Sequence, residues 1–123
     1  MILADTNVLI QAILGEEPDK SFLDKAIKNK QLIFSVISIS EFLAQASSKE
    51  ERVIEELMNN FPVLLVDLET ARTASKYRKQ FLKTKRAHLL DCFLAAQAKL
   101  NDLTLVTHNK SDFPMKDIKV ISP

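Results

Sequence analysis

Ile2-Leu3-Ala4-Asp5-Thr6-Asn7-Val8-Leu9 sets the pattern for the rest of the chain. Ile2-Leu3-Ala4 is a short apolar run of the kind that forms a buried strand. Asp5, Thr6 and Asn7 are all residue types that cap helix N-termini. Val8, Leu9, Ala12 and Ile13 then recur at helical spacing. Moving outward, the same alternation repeats. Phe22, Leu23, Ala26 and Ile27 mark a helix ending near Asn29, and Gln31 to Ile37 is β-rich. Ser38 to Ala46 reads as a helix capped at Ser38. Lys49 to Asn60 is amphipathic, with Val53, Ile54, Leu57 and Met58 on one face. Val63 to Val66 reads as a strand, Glu69 to about Leu82 as a basic helix, and Leu89 to Leu100 as an apolar one. Leu103 to Thr107 and Ile118 to Ile121 supply the last two strands. Apolar strands alternating with helices predict an α/β fold, a three-layer sandwich with helices on both faces of a mainly parallel sheet. No linker, repeat or low-complexity segment divides residues 1–123, so a single domain is expected.

Composition narrows the chemistry. The chain is 46% hydrophobic and 27% charged, as in ordinary water-soluble domains, and no apolar run approaches the ~20 residues of a membrane span. The first apolar stretch is broken by Asp5-Thr6-Asn7 and lacks a basic start, which argues against a signal peptide and for a cytoplasmic protein without membrane contact. One cysteine, Cys92, excludes an internal disulfide and a cysteine-rich zinc site, and two histidines leave little for a histidine-rich one. There is one glycine, Gly15, where average usage would give about nine. A phosphate-cradling loop needs several. A protein of this composition that acts on phosphates must use another device, and carboxylates holding a divalent cation are the obvious one. The net charge of +1 conceals a basic segment. Arg72, Lys76, Arg78, Lys79, Lys83, Lys85 and Arg86 occur in a stretch without Asp or Glu, suited either to a phosphate backbone or to a solvated face.

Three polar clusters follow apolar strands: Asp5, then Glu41, then Asn109 with Asp112. In a parallel sheet these lie at the carboxyl edge, where ligands bind. Asp91 joins them from Leu89-Leu90-Asp91-Cys92-Phe93, where its flanks are apolar and an unpartnered charge is costly. Each has a structural reading of its own. Asp5 can serve as a helix cap, and Ser38-Ile39-Ser40-Glu41 has the form of a capping box. Asp91 suits a helix first turn, Asn109 a turn, and Asp112 a helix start. Together, converging carboxylates repel one another and raise each other's pKa values. A hard cation such as Mg²⁺ resolves that repulsion through oxygen ligands.

These residues resemble a known family. Ile2-Leu3-Ala4-Asp5-Thr6-Asn7-Val8-Leu9 is similar to the opening of PIN domains, and the length suits their VapC-type toxins. Ser35-Val36-Ile37-Ser38-Ile39-Ser40-Glu41-Phe42-Leu43 resembles the second acidic segment, Asp91-Cys92-Phe93-Leu94-Ala95-Ala96-Gln97-Ala98 the third, and Leu105-Val106-Thr107-His108-Asn109-Lys110-Ser111-Asp112-Phe113 the last. The resemblance implies a Mg²⁺- or Mn²⁺-dependent endoribonuclease cleaving structured RNA, with transfer RNA the expected substrate. It implies a cognate antitoxin and a homodimer. It makes Asp5, Glu41 and Asp91 catalytic, with Asp5 and Asp91 on the metal, Asn109 and Asp112 completing the outer coordination, and Thr6, Asn7 and Thr107 orienting the acids. His108 stands where relatives often carry Arg. His88 is expected at a helix start, Cys92 in the core, and the scattered phenylalanines in the core rather than stacked on bases. Two other readings compete. A phosphoacceptor receiver would use Asp67 after Val63-Leu64-Leu65-Val66 and Lys110 after a later strand, but would want a second acid where Thr6 stands. A PIN-like interaction module without catalysis would not need the acids.

Overall fold

The computed structural model describes residues 1–123. Its elements run β1 (Ile2–Ala4), α1 (Thr6–Ile13), α2 (Asp19–Lys28), β2 (Leu32–Ser35), α3 (Val36–Gln45), α4 (Ser48–Asn60), β3 (Val63–Leu64), α5 (Leu68–Gln80), α6 (Leu89–Leu100), β4 (Thr104–Val106), a 3₁₀ turn (Lys110–Asp112) and β5 (Lys119–Ile121). The five strands form one sheet in the order β3-β2-β1-β4-β5, and every neighbouring pair is parallel. β1 pairs with β2 on one side and with β4 on the other, so the order reverses beside β1. The carboxyl ends of β1 and β4 flank that switch point, and the chain leaves β1 at Asp5 and β4 at Thr107.

Strand periodicity sorts the side chains into two cores. Leu3 and Leu105 face one cluster, with Ala74 and Tyr77 of α5 and Cys92, Leu94, Ala95 and Ala98 of α6. Ala4 and Val106, one residue further on, face the other, with Val8, Leu9, Leu23, Phe42 and Ile54. Helices α5 and α6 therefore cover one face and α1 to α4 the other, which gives the expected three layers. α3 touches both clusters, Ile37 with the first and Ile39 and Phe42 with the second.

Several boundaries differ from expectation. β2 stops at Ser35, and Val36 and Ile37 already belong to α3. The cap is Ser35, whose Oγ accepts from the Ile37 amide at 3.1 Å. Ser38 lies inside the helix, buried, and donates its hydroxyl to the Ala4 carbonyl at 3.3 Å. The expected capping box at Ser38 and Glu41 is therefore absent. A capping box does form on α4 between Ser47 and Glu50. β3 is only two residues long, because its one partner, β2, ends at Ser35 opposite Leu64; beyond that the Leu64 and Leu65 carbonyls accept from the Gln97 side chain of α6, at 3.4 and 3.3 Å.

The scarcity of glycine is met in an unusual way. Helices α2 and α6 end with Lys30 and Asp102 at φ of 53° and 52°, a region that glycine normally fills. Around each, crossed amide bonds close the helix end: Lys30 to Ile27 and Gln31 to Ala26, then Asp102 to Lys99 and Leu103 to Ala98.

Candidate active site

Asp5 caps α1 and serves the site at once. Its Oδ1 accepts from the Thr6 amide at 2.8 Å, and its Oδ2 accepts from the Thr107 hydroxyl at 2.9 Å. Its own amide donates to the Val106 carbonyl at 2.9 Å, which ties the carboxyl ends of β1 and β4 together. Thr107 is fully buried, and its Oγ also accepts from the Asn109 amide at 3.1 Å. Thr6 points the other way and donates to Glu41 Oε1 at 2.8 Å. Two threonines thus hold two acids from elements far apart in sequence. Asn7 is exposed on the first turn of α1 with no bond to either acid.

Asp91 occupies the first turn of α6, behind His88, which starts the helix without a side-chain cap. Its carboxyl is half-buried and is pushed up to about 6. Burial is the main cause, followed by the charges of Asp112 and Asp5, while the backbone amide bond and the charge of His88 pull the other way. The structure therefore places Asp91, Asp112 and Asp5 in one electrostatic neighbourhood, with Glu41 joined to it through Thr6 and Asn109 through Thr107. Asp112 ends the 3₁₀ turn rather than starting a helix.

No three His, Cys, Asp or Glu side chains stand close enough to one centre to ligate an ion as placed. The donor set nevertheless fits a hard cation by its chemistry. It is made of carboxylate oxygens, with the charges of Asp112 and Asp5 reaching Asp91, beside neutral amide and hydroxyl groups. The roomiest groove, about 510 Å³, lies elsewhere, between α1, α2 and α4, and most of its lining is apolar. It carries no acid cluster.

The remaining candidates divide. Arg72, Lys76 and Lys79 are exposed on α5, and Lys83, Lys85 and Arg86 on the loop that leads into α6. Arg78 donates to the Phe81 carbonyl at 3.0 Å and closes the end of α5. Cys92 is buried, and burial pushes its thiol up to about 11, so it stays protonated and inert. Asp67, the acceptor a receiver would need, caps α5 by accepting from the Thr70 amide and hydroxyl at 2.8 and 2.7 Å. His108, which stands where relatives often carry Arg, bonds Asp19, a buried acid that the sequence pattern did not single out. Only the deep burial of the Asp19 side chain, which no local pattern reveals, would have singled it out.

Comparison with known proteins agrees with this architecture. A family model described as "PIN domain" matches residues 2–119. A curated Mycobacterium tuberculosis protein, ribonuclease VapC10, is 33% identical over 116 residues, covering 94% of this chain and 87% of the relative. A crystal structure of FitAcB from Neisseria gonorrhoeae aligns with a TM-score of 0.75 at 26% identity, over 98% of this chain and 96% of that one. VapBC2 from Rickettsia felis, solved with a DNA fragment from its promoter, aligns with a TM-score of 0.80 over 100% and 99% of the two chains. At 17% identity it speaks for the fold alone.

Proposed function

The chain belongs to the PIN domain family, in its VapC branch, and from that premise we propose that it is a metal-dependent endoribonuclease, the toxin of a toxin–antitoxin pair. The observation that carries this reading is the gathering of acids beside the sheet's switch point, where Thr107 holds Asp5, Thr6 holds Glu41, and the charges of Asp112 and Asp5 reach Asp91. Such clustering of like charges destabilises a fold and is found where charge is needed for chemistry. The 33% identity to a ribonuclease supports the same conclusion.

Asp5 and Asp91 would hold a divalent cation, Mg²⁺ or Mn²⁺, with Asn109 and Asp112 in its outer sphere. When bound, the ion supplies Lewis acidity towards a phosphoryl oxygen. Thr107 and the Thr6 amide fix both oxygens of Asp5, so the carboxylate meets its ligand in one orientation. Thr6 holds one oxygen of Glu41. The other is free to take the proton of a water that attacks phosphorus in line. The products are then a 5′-phosphate and a 3′-hydroxyl. Attack by the ribose 2′-hydroxyl between two histidines is disfavoured, because His108 is engaged with Asp19. The exposed bases from Arg72 to Arg86 are suited to RNA phosphates, and transfer RNA is the proposed substrate class.

A cognate antitoxin belongs to the same proposal and rests on the likeness to a VapC ribonuclease over 94% of the chain. Exposed Leu65, Leu68, Leu82, Leu89 and Leu90 offer apolar surface for a homodimer. No helix is long and apolar enough to cross a membrane, and a cytoplasmic location is part of the same proposal. The decisive assay incubates a transfer-RNA pool with wild type, Asp5→Asn and Asp91→Asn in Mg²⁺, Mn²⁺ or EDTA. Cleavage is expected to fall at least ~10²-fold in each variant, about 2.7 kcal/mol of transition-state stabilisation, and to stop in EDTA. Full activity in EDTA, a 2′,3′-cyclic phosphate product, or wild-type rates in both variants would overturn the reading.

A further inference from the structure

One buried carboxylate plays no part in that mechanism. Asp19 opens α2 with its side chain only 3% exposed, and a carboxylate buried so far needs a partner. The partner is the imidazole Nε2 of His108, 89 positions away. A carboxylate only accepts, so Nε2 carries the hydrogen.

The place of His108 in the chain gives this bond its meaning. Thr107 before it holds Asp5, and the Asn109 amide after it returns to the Thr107 hydroxyl. The Asp112 amide then bonds the Asn109 carbonyl at 3.0 Å, and Phe113 is buried beyond it. The path of residues 107–112 is thus set by hydrogen bonds to Asp5 within the site and to Asp19 outside it. α2 is a firm anchor, because Leu23 and Ala26 pack in the cluster that holds Val8 and Leu9 of α1. We infer that Asp19 and His108 are a positioning pair, which ties the segment after β4 to α2 and thereby fixes where Asn109 and Asp112 stand relative to Asp5 and Asp91. The consequence for rate rests on the ribonuclease reading, whereas the consequence for the segment's order does not. A phosphate-gripping role for His108, by contrast, would leave Asp19 buried without a partner.

Four full-length variants test the pair: His108→Ala, Asp19→Ala, the double variant, and His108→Gln, which keeps an N–H donor. The first readout is amide hydrogen exchange, which needs no activity. The Asn109 and Asp112 amides are expected to exchange at least ~5-fold faster in either alanine variant, with the Asp5 and Phe34 amides unchanged, which shows the sheet intact. The second readout is RNA cleavage. Small misplacements of catalytic groups cost up to ~10²-fold, so kcat is expected to fall ~10-fold or more, with KM for RNA within ~2-fold of wild type. His108→Gln should recover most of the rate, and the double variant should lose no more than either single one. Unchanged exchange at Asn109 and Asp112, a rise in KM with kcat intact, or losses that multiply in the double variant would overturn the pair. A wild-type protein that leaves RNA uncut would overturn the ribonuclease reading, and amide exchange would still decide the pair.

Discussion

Asp91→Asn is expected to make the protein more stable and less active at the same time, and the gain in stability should depend on pH. The carboxyl of Asp91 sits at about 6 in the folded protein against 3.8 for the free side chain. Burial contributes most, then the charges of Asp112 and Asp5. Because the folded value lies above the unfolded one, the folded protein binds the proton more tightly between the two. Stability from this group is fully present below about pH 4 and is lost as pH rises through about 6. The shift of roughly two units corresponds to about 3 kcal/mol at 1.36 kcal/mol per unit. The side chain is half-buried, and solvent screening reduces this to about 1.5 kcal/mol. Asparagine has nearly the same shape and no charge to lose. In EDTA, urea denaturation should therefore find Asp91→Asn more stable than wild type by about 1.5 kcal/mol at pH 7.5, a gap that closes at pH 4. Millimolar Mg²⁺ should stabilise wild type and leave the variant unmoved. A variant less stable than wild type at pH 7.5, or one whose advantage persists undiminished at pH 4, refutes the argument that Asp91 is strained by its neighbours.

Thr107→Val removes a buried hydroxyl that bonds both a carboxylate and an amide, so it should cost about 2–4 kcal/mol in chemical denaturation, with Thr107→Ser close to wild type. Lys30→Gly and Asp102→Gly relieve left-handed backbone at exposed helix ends. Each should add about 1 kcal/mol, seen as a higher Tm, and a fall in Tm for both would contradict the strain argument. Replacing Lys83, Lys85 and Arg86 together by alanine should weaken RNA binding at low salt and flatten its salt dependence by about two units of slope, with kcat unchanged. An unaltered salt slope would assign those bases to a solvated face.

The alternation of strand and helix was legible because each apolar run is bounded by polar or capping residues, and the three layers follow from that alone. The start of α3 was not. Val36 and Ile37 are β-branched and continue the strand pattern, yet Ile37 packs in the α5–α6 cluster from the first turn of a helix that Ser35 caps. The same displacement changes the meaning of Glu41. Four consecutive residues, Ser38 to Glu41, spell a capping box, but the side chain that Glu41 meets is Thr6, 35 positions earlier. Asp5, Asp91 and Asp112 were visible as acids beside apolar segments. Asp19 was not, because the His108 bond that makes it unusual exists only in three dimensions.

Asp5 and the hydroxyl that holds it are 102 positions apart, and that separation has a consequence during synthesis. At about 5–20 residues per second, Asp5 leaves the ribosome several seconds ahead of Thr107. Throughout that interval β1 has no β4 beside it, so the central strand of the finished sheet presents a bare edge. A nascent chain that stops before residue 104 has Glu41 and Asp91 but neither the strand that pairs beside Asp5 nor the segment that brings in Asp112. The site is therefore assembled only once residues 104–112 are in place, and a product cut short before them carries scattered acids and a bare strand edge.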